Sequence, residues 1–114
     1  MNCSSSRKVK KDFAPVDRVA LLRRLNSVPV TTWSYKHEKP SVRHIGAMAQ
    51  DFQRAFQVGE DDISIAMVDA DGVALAAIQG LYLQNMALRH RLSLQGARLS
   101  RLERLLTTLT RRWK

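Results

Sequence analysis

The last forty residues of the chain carry its most regular hydrophobic pattern. From Ala74 to Trp113 the steps between core-type positions alternate strictly between four and three residues, which is the heptad spacing of a coiled coil. An amphipathic helix on a globular surface drifts off a strict 3.5-residue period, so its stripe would not hold this long. The pattern predicts one helix, about 60 Å long, that joins parallel copies of the chain. Its seam positions are Ala74, Ile78, Leu81, Asn85, Leu88, Leu92, Gln95, Leu99, Leu102, Leu106, Leu109 and Trp113.

Two polar residues interrupt this seam and bear on its copy number. Asn85 and Gln95 cost stability but favour one register, because a shifted chain would bury them unpaired against leucine. Of the six positions called a in the heptad (Ile78, Asn85, Leu92, Leu99, Leu106 and Trp113), three hold leucine and only Ile78 is β-branched. The pattern of β-branched a and leucine d residues that favours dimers is therefore missing. The seam predicts a parallel oligomer, with a trimer slightly preferred to a dimer.

The hydrophobic pattern before the seam changes from one segment to the next and predicts a small α+β unit. Apolar residues at helical spacing predict a helix that begins near Pro15 and Asp17 and ends at Asn26 and Pro29. Residues 28–35 are rich in β-branched and aromatic side chains and predict a strand. The polar residues 36–43 predict a hairpin loop. Residues 44–49 then form either the partner strand or the approach to a short helix that runs through Phe56.

Two acidic stretches mark the predicted approach to the long helix. Residues 59–62 predict a turn, residues 63–69 a further strand, and residues 69–72 an acidic turn that caps the helix. The predicted organisation is an N-terminal arm at 1–11, an α+β unit at 12–73 and the trimerisation helix at 74–114. Four large apolar side chains are predicted to lie in the core or between protomers: Trp33, Tyr35, Phe52 and Phe56.

Composition narrows the functional classes. The 114 residues carry a net charge of +9 and one cysteine, Cys3, which excludes an intramolecular disulfide and a multi-cysteine metal site. No apolar run is long enough for a membrane span, and the basic start lacks the apolar stretch of a secretory signal. We therefore expect a soluble protein made in a cytoplasm. The charge could attract nucleic acid, but no nucleic-acid-binding motif accompanies it.

Candidate chemistry is confined to the arm. The histidines His37, His44 and His90 do not have metal-ligand spacing, and we expect neither a metal nor another cofactor. Ser5 and Lys10 could form a nucleophile–base pair, because a lysine amine that loses its proton can activate a serine hydroxyl. The cations Lys8 and Lys11 flank Lys10 and favour its neutral form. Serines beside lysines are also common in flexible segments, and the polar, basic composition of residues 1–11 alone predicts such a flexible arm.

Four segments in order resemble one family. They are SSRKVKKDFAPVD (5–17), PVTTWSYK (29–36), HIGAMAQDF (44–52) and VDADGVALAAIQGLYLQN (68–85), which continues into the predicted coiled coil. Together they resemble the C-terminal intramolecular chaperone domain of endosialidase-type phage tail spikes and fibres. The resemblance implies a domain that holds three chains of a β-rich fibre in register while they fold, and then releases itself by self-cleavage.

The resemblance also implies roles for individual residues. Cleavage is expected before Ser5, with Lys10 as the base, and His44 and Gln50 are expected as polar helpers. The family commonly has an acidic residue after the serine, whereas this chain has Ser6, and three serines (residues 4–6) leave the nucleophile open by one position. If Met1 is the natural start, cleavage would remove only residues 1–4.

Three functions remain open from the sequence. The first is a trimerising chaperone of a phage tail spike or fibre, covalently attached or acting in trans, in the host cytoplasm during virion assembly. The second is a trimerisation module that never cleaves. The third is a basic coiled-coil nucleic-acid binder, for which the charge is the only support.

Overall fold

A computed structural model describes residues 4–113, and their arrangement is α+β as predicted. The elements in chain order are a 3-10 turn at Arg7–Val9, α1 at Arg18–Ser27, β1 at Thr31–Trp33, β2 at His44–Gly46, α2 at Ala49–Phe56 and α3 at Met67–Arg112. The chain divides into one compact unit that ends at Leu81 and a second that begins at Tyr82. The association of several copies through α3 stays a prediction.

The boundaries of α1 follow from its capping residues. Asp17 is the N-cap, and its Oδ1 accepts a hydrogen bond from the backbone N–H of Ala20 at 3.1 Å, which satisfies a donor at the helix start. The backbone N–H of Val28 donates to the carbonyl of Leu25 at 3.1 Å, and Pro29 follows, which cannot continue a helix. The predicted helix is confirmed.

The two strands form an antiparallel hairpin that is shorter than predicted. Thr31 pairs with Gly46, and Trp33 pairs with His44. Arg43 connects the end of the long loop to the first strand and the residue after it. Its guanidinium donates to Ser34 Oγ at 3.1 Å and to Thr32 Oγ1 at 3.0 Å. Both alternatives for residues 44–49 occur together, since β2 ends at Gly46 and α2 begins at Ala49.

The core of the first unit collects side chains from α1, α2 and α3. Its buried members are Leu21, Val28, Phe52, Phe56, Val73 and Ala77. Phe52 and Phe56 lie one helical turn apart and meet edge to face, with ring centroids 4.9 Å apart, a favourable aromatic geometry. Gly80 is also buried, and a Cβ there would lie 2.9 Å from the carbonyl carbon of Arg18. Only glycine therefore permits this close approach of α3 to α1.

The beginning of α3 corrects three predictions. The helix begins at Met67 rather than at Ala74, and residues 63–69 form no strand. The hairpin is the only sheet within residues 4–113, so a strand at 63–69 would have no partner there. A helix that starts at Met67 instead buries Val73. Residues 69–72 of the predicted acidic turn are also helical. Asp69 lies in the first turn of α3, where its negative charge interacts favourably with the helix dipole.

The second unit contains only the remainder of α3. Among its described side chains all are exposed except Gln84, which is half-buried. The seam leucines share this exposure, with 66% of Leu92 and 63% of Leu106 accessible to solvent. The helix is continuous to Arg112, as predicted. Within the described residues, no helix combines the length and apolar character needed to cross a membrane.

Candidate functional site

The described part of the arm is folded into a turn, where the sequence predicted only a flexible segment. Residues Arg7–Val9 form a 3-10 turn, with Ser6 as its N-cap. The backbone N–H of Val9 donates to the Ser6 carbonyl at 3.1 Å. Beyond the turn, Asp12 adopts the left-handed backbone region with φ of 56°, which aspartate tolerates better than most residues. These features compact the segment that holds the candidate nucleophile and base.

Ser5 and Lys10 lie in direct contact across this turn. Lys10 Nζ is 2.6 Å from Ser5 Oγ, and both residues are exposed. A charged ammonium donates to the hydroxyl in this contact, whereas a neutral amine could take the hydroxyl proton and leave an activated nucleophile. The distance lies within the range required of a nucleophile and its base. The geometry thus satisfies one requirement of a Ser–Lys dyad.

Ser6 has a different hydrogen-bond role from Ser5. Its hydroxyl oxygen accepts from the backbone N–H of Lys8 at 3.1 Å and so takes part in the turn. Of these two adjacent serines, Ser5 contacts the lysine and Ser6 caps the turn. This difference favours Ser5 as the nucleophile in the series of serines at residues 4–6.

His44 lies in the hairpin and is paired with Glu38. Its Nε2 is 2.9 Å from Glu38 Oε1 and 3.0 Å from Glu38 Oε2. The hydrogen bond from His44 lowers the pKa of Glu38, and the backbone N–H of Tyr35, which donates to Oε1 at 2.8 Å, lowers this pKa further. None of these partners belongs to the arm, so within one chain the structure does not bring His44 to the dyad.

Gln50 lies at the start of α2, also without a contact to the dyad among the described residues. It is exposed and borders a surface depression together with Gln53, Arg54, Gln57 and Asp62. Sequence reasoning grouped Gln50 with Ser5 and Lys10 through the family resemblance alone. In one copy of the chain, Gln50 lies in α2 and forms no hydrogen bond to Ser5 or Lys10 of the arm.

An aromatic cluster beside His44 is a feature that sequence reasoning missed. The Trp33 ring lies 4.9 Å from that of His44, and the Tyr35 ring lies 5.4 Å from that of His37. The Trp33 Nε1 atom is buried without a hydrogen-bond partner among the described residues. Trp33 and Tyr35 are two residues apart in the segment predicted as a strand, and this spacing is the signal that could have predicted a shared face.

The described residues offer no evident metal centre. Within residues 4–113, no three His, Cys, Asp or Glu side chains are grouped closely enough to hold an ion. Cys3 lies outside the described residues.

Comparison with known protein families gives a match in the N-terminal part of the chain. Residues 5–58 match the family described as chaperone of endosialidase. No curated protein and no solved structure matches the chain. The matched segment contains Ser5, Lys10, α1, the hairpin and α2. The segment 68–85, which also resembles the family, lies outside the match.

Proposed function

We propose, because residues 5–58 match the chaperone-of-endosialidase family, that the chain is a trimerising chaperone that releases itself by autoproteolysis. Its client is a phage tail spike or fibre chain, in the host cytoplasm during virion assembly. Self-cleavage takes place before Ser5, with Lys10 as the base. The observation that carries the proposal is the 2.6 Å contact between Lys10 Nζ and Ser5 Oγ, inside the segment that matches the family.

The proposed reaction is a single-turnover cleavage of the Ser4–Ser5 peptide bond. Neutral Lys10 Nζ takes the hydroxyl proton of Ser5 while Ser5 Oγ attacks the carbonyl carbon of Ser4. The C–N bond breaks, the Ser5 nitrogen receives the proton from Lys10, and an ester joins the Ser4 carbonyl to Ser5 Oγ. Water then hydrolyses the ester. The products are a Ser4 carboxylate and a new chain that begins with the free amine of Ser5.

The exposure of the dyad supports a link between cleavage and assembly. Both side chains are exposed in one copy of the chain. Burial would favour the neutral amine that the reaction requires. A neighbouring copy packed over the arm would provide that burial. His44 and Gln50 are proposed as polar helpers that reach the dyad from such a copy, since neither contacts it within one chain.

The exposed seam supports the trimerising part of the proposal. Leucines such as Leu99 and Leu102, at 59% and 50% exposure, repeat at heptad positions and require partner helices for burial. Long β-rich fibres have many non-local contacts, fold slowly and expose aggregation-prone edges. Three helices joined at one end would hold three fibre chains in register and raise their effective concentration.

Mass spectrometry of the full purified chain tests the cleavage directly. The parent is expected to lose residues 1–4, and Lys10→Ala is expected to keep them. Lys11→Ala is the matched control, because it keeps the contact between Lys10 Nζ and Ser5 Oγ and removes only a neighbouring cation, which should slow cleavage modestly rather than abolish it. Cleavage of Lys10→Ala at the parent rate would refute the dyad.

The alternative function is a trimerisation module that does not cleave itself, and the observation in its favour is that one copy of the chain leaves Ser5 and Lys10 exposed. In that case the parent, Lys10→Ala and Lys11→Ala would all retain residues 1–4 while sedimenting as trimers. The same spectra, combined with sedimentation of the same samples, separate the two functions.

A further inference from the structure

We propose that Ser6 is a positioning residue for the self-cleavage reaction. Its side chain stabilises the 3-10 turn that brings Lys10 to Ser5, and it does not itself touch the reacting atoms. The inference rests on the proposed function, because it concerns the same Ser5–Lys10 pair. It assigns a role to the hydroxyl group that directly follows the nucleophile.

The distance that the chain must close shows why a turn is needed. Five residues in extended conformation span roughly 17 Å between Cα atoms, yet Lys10 Nζ lies 2.6 Å from Ser5 Oγ. The 3-10 turn at Arg7–Val9 shortens this path, because it rises only about 2.0 Å per residue. The contact between nucleophile and base therefore depends on whether the turn is formed.

Ser6 accepts both of the hydrogen bonds that define the start of this turn. Its carbonyl oxygen accepts from the Val9 N–H at 3.1 Å, and its Oγ accepts from the Lys8 N–H at 3.1 Å. Its backbone is extended, with φ of −68° and ψ of 143°, the usual conformation of a capping residue. The side chain of Ser6 thus contributes one of two bonds.

The turn has little other support. None of the residues Arg7–Val9 is buried, so no packing against the core stabilises it, and short 3-10 segments have weak hydrogen-bond geometry. Loss of the Ser6 hydroxyl should therefore change the population of the turn directly. Threonine and asparagine can replace the hydroxyl as acceptors at a cap, whereas valine cannot.

Ser6→Thr and Ser6→Val form a nearly isosteric pair that tests this role in the full chain. Mass spectrometry follows the loss of residues 1–4 with time. We expect Ser6→Thr to cleave near the parent rate and Ser6→Val to cleave roughly two- to five-fold more slowly, which corresponds to the loss of a weak cap. Equal rates for the two variants would overturn the inference.

Ser6→Asn separates positioning from nucleophilic attack. Asparagine can cap the turn but offers no hydroxyl, so cleavage at Ser4–Ser5 by Ser6→Asn supports the positioning role. Abolished cleavage in Ser6→Asn, with normal cleavage in Ser6→Thr, would show Ser6 to be the nucleophile and overturn it.

Amide hydrogen exchange provides a readout that does not depend on cleavage. In a Lys10→Ala background, the Lys8 amide is expected to exchange two- to five-fold faster with Ser6→Val than with Ser6→Thr. Equal exchange would overturn the inference whatever the cleavage result. A parent that never cleaves refutes the proposed function, and faster Lys8 exchange in Ser6→Val would then still support Ser6 as the residue that holds the turn.

Discussion

The two parts of α3, before and after the boundary between Leu81 and Tyr82, differ in how they use their apolar residues. In the first part, Val73 and Ala77 are 7% and 5% exposed and belong to the core, while the seam residue Ile78 is 65% exposed. In the second part, the seam leucines are exposed and no described side chain is buried. The first part therefore has one apolar face that is buried within its own chain and a second that is exposed. The second part has only an exposed apolar face.

This difference separates two sources of stability along one helix. The first part is stabilised by burial of Val73 and Ala77 in the core with residues of α1 and α2, and this contribution scales with the apolar area removed from water. The second part has no such burial, and most helix stability in proteins comes from packing of an apolar face. We therefore expect the second part to depend on other copies of the chain and the first to depend on its own core.

The strongest test of the comparison introduces charge into the seam. Leu92→Asp combined with Leu99→Asp should abolish association, because buried leucine is worth about 2–5 kcal/mol when truncated and an unpaired buried charge costs more. Sedimentation equilibrium should find monomers, and the arm should no longer cleave. Leu94→Asp is the control, since Leu94 is 59% exposed and lies outside the seam. Rapid cleavage by the monomeric double variant would contradict the link between assembly and cleavage.

The next largest effect is expected in the core of the first unit. Phe52→Ala removes a ring that is 8% exposed and should cost about 3–5 kcal/mol, a large share of the stability of a small domain. Thermal unfolding followed by near-ultraviolet circular dichroism measures the loss. Phe13→Ala should have little effect, because Phe13 is 71% exposed. Similar losses for both variants would mean that Phe13 is buried in the assembled protein.

Two glycines on α3 should respond in opposite directions to the same substitution. Gly80→Ala places a Cβ against the backbone of Arg18 and should destabilise the chain by about 1–3 kcal/mol. Gly96→Ala meets nothing within 4 Å and should stabilise the helix by up to about 1 kcal/mol. Thermal melting at one protein concentration compares them, since association itself raises the melting temperature. A stabilising Gly80→Ala would argue against the close contact of α3 with α1.

The smallest expected effect is a pH dependence of the hairpin. The pKa of Glu38 is lowered from 4.5 in the folded chain, so its stabilising contribution is complete above about 4.5. That contribution is lost as the pH falls through the lowered folded-state pKa. Trp33 fluorescence in a Trp113→Phe background reports on the hairpin. Glu38→Gln should reduce the acid-induced change, while Glu60→Gln, outside the hairpin, should leave it. An unchanged acid transition in Glu38→Gln would disprove the role of the pair.

Local signals predicted much of the secondary structure correctly. Asp17 and Pro29 marked the ends of α1 because capping and the missing proline N–H act over only a few residues. The heptad predicted the long helix for the same reason, because it is a spacing between apolar residues in neighbouring turns of the same helix. Residues 63–69 were predicted wrongly as a strand, because their β-branched and apolar character suits a strand as well as a helix start. Only the absence of a strand partner in the described chain decided between them.

The candidate site was predictable in part through family resemblance rather than residue spacing. Ser5 and Lys10 are five residues apart, and nothing in that spacing alone requires contact, because a flexible arm would leave them separate. The 3-10 turn brings them together through hydrogen bonds to Ser6. His44 and Gln50 stay apart from the pair within one chain, so their predicted role as helpers depends on contacts between copies.

The sequence by itself determined that residues 74–112 are helical with a heptad of apolar positions, because a heptad repeat expresses its geometry in local periodicity. It also determined the polar positions Asn85 and Gln95 and the caps of α1. Tertiary structure decided where α3 begins, because burial of Val73 and Ala77 favours helix as far back as Met67. It also decided that Gly80 must lack a side chain, since the constraint comes from the backbone of Arg18, more than sixty residues earlier in the chain. Such contacts depend on distances in space, which no local sequence pattern encodes.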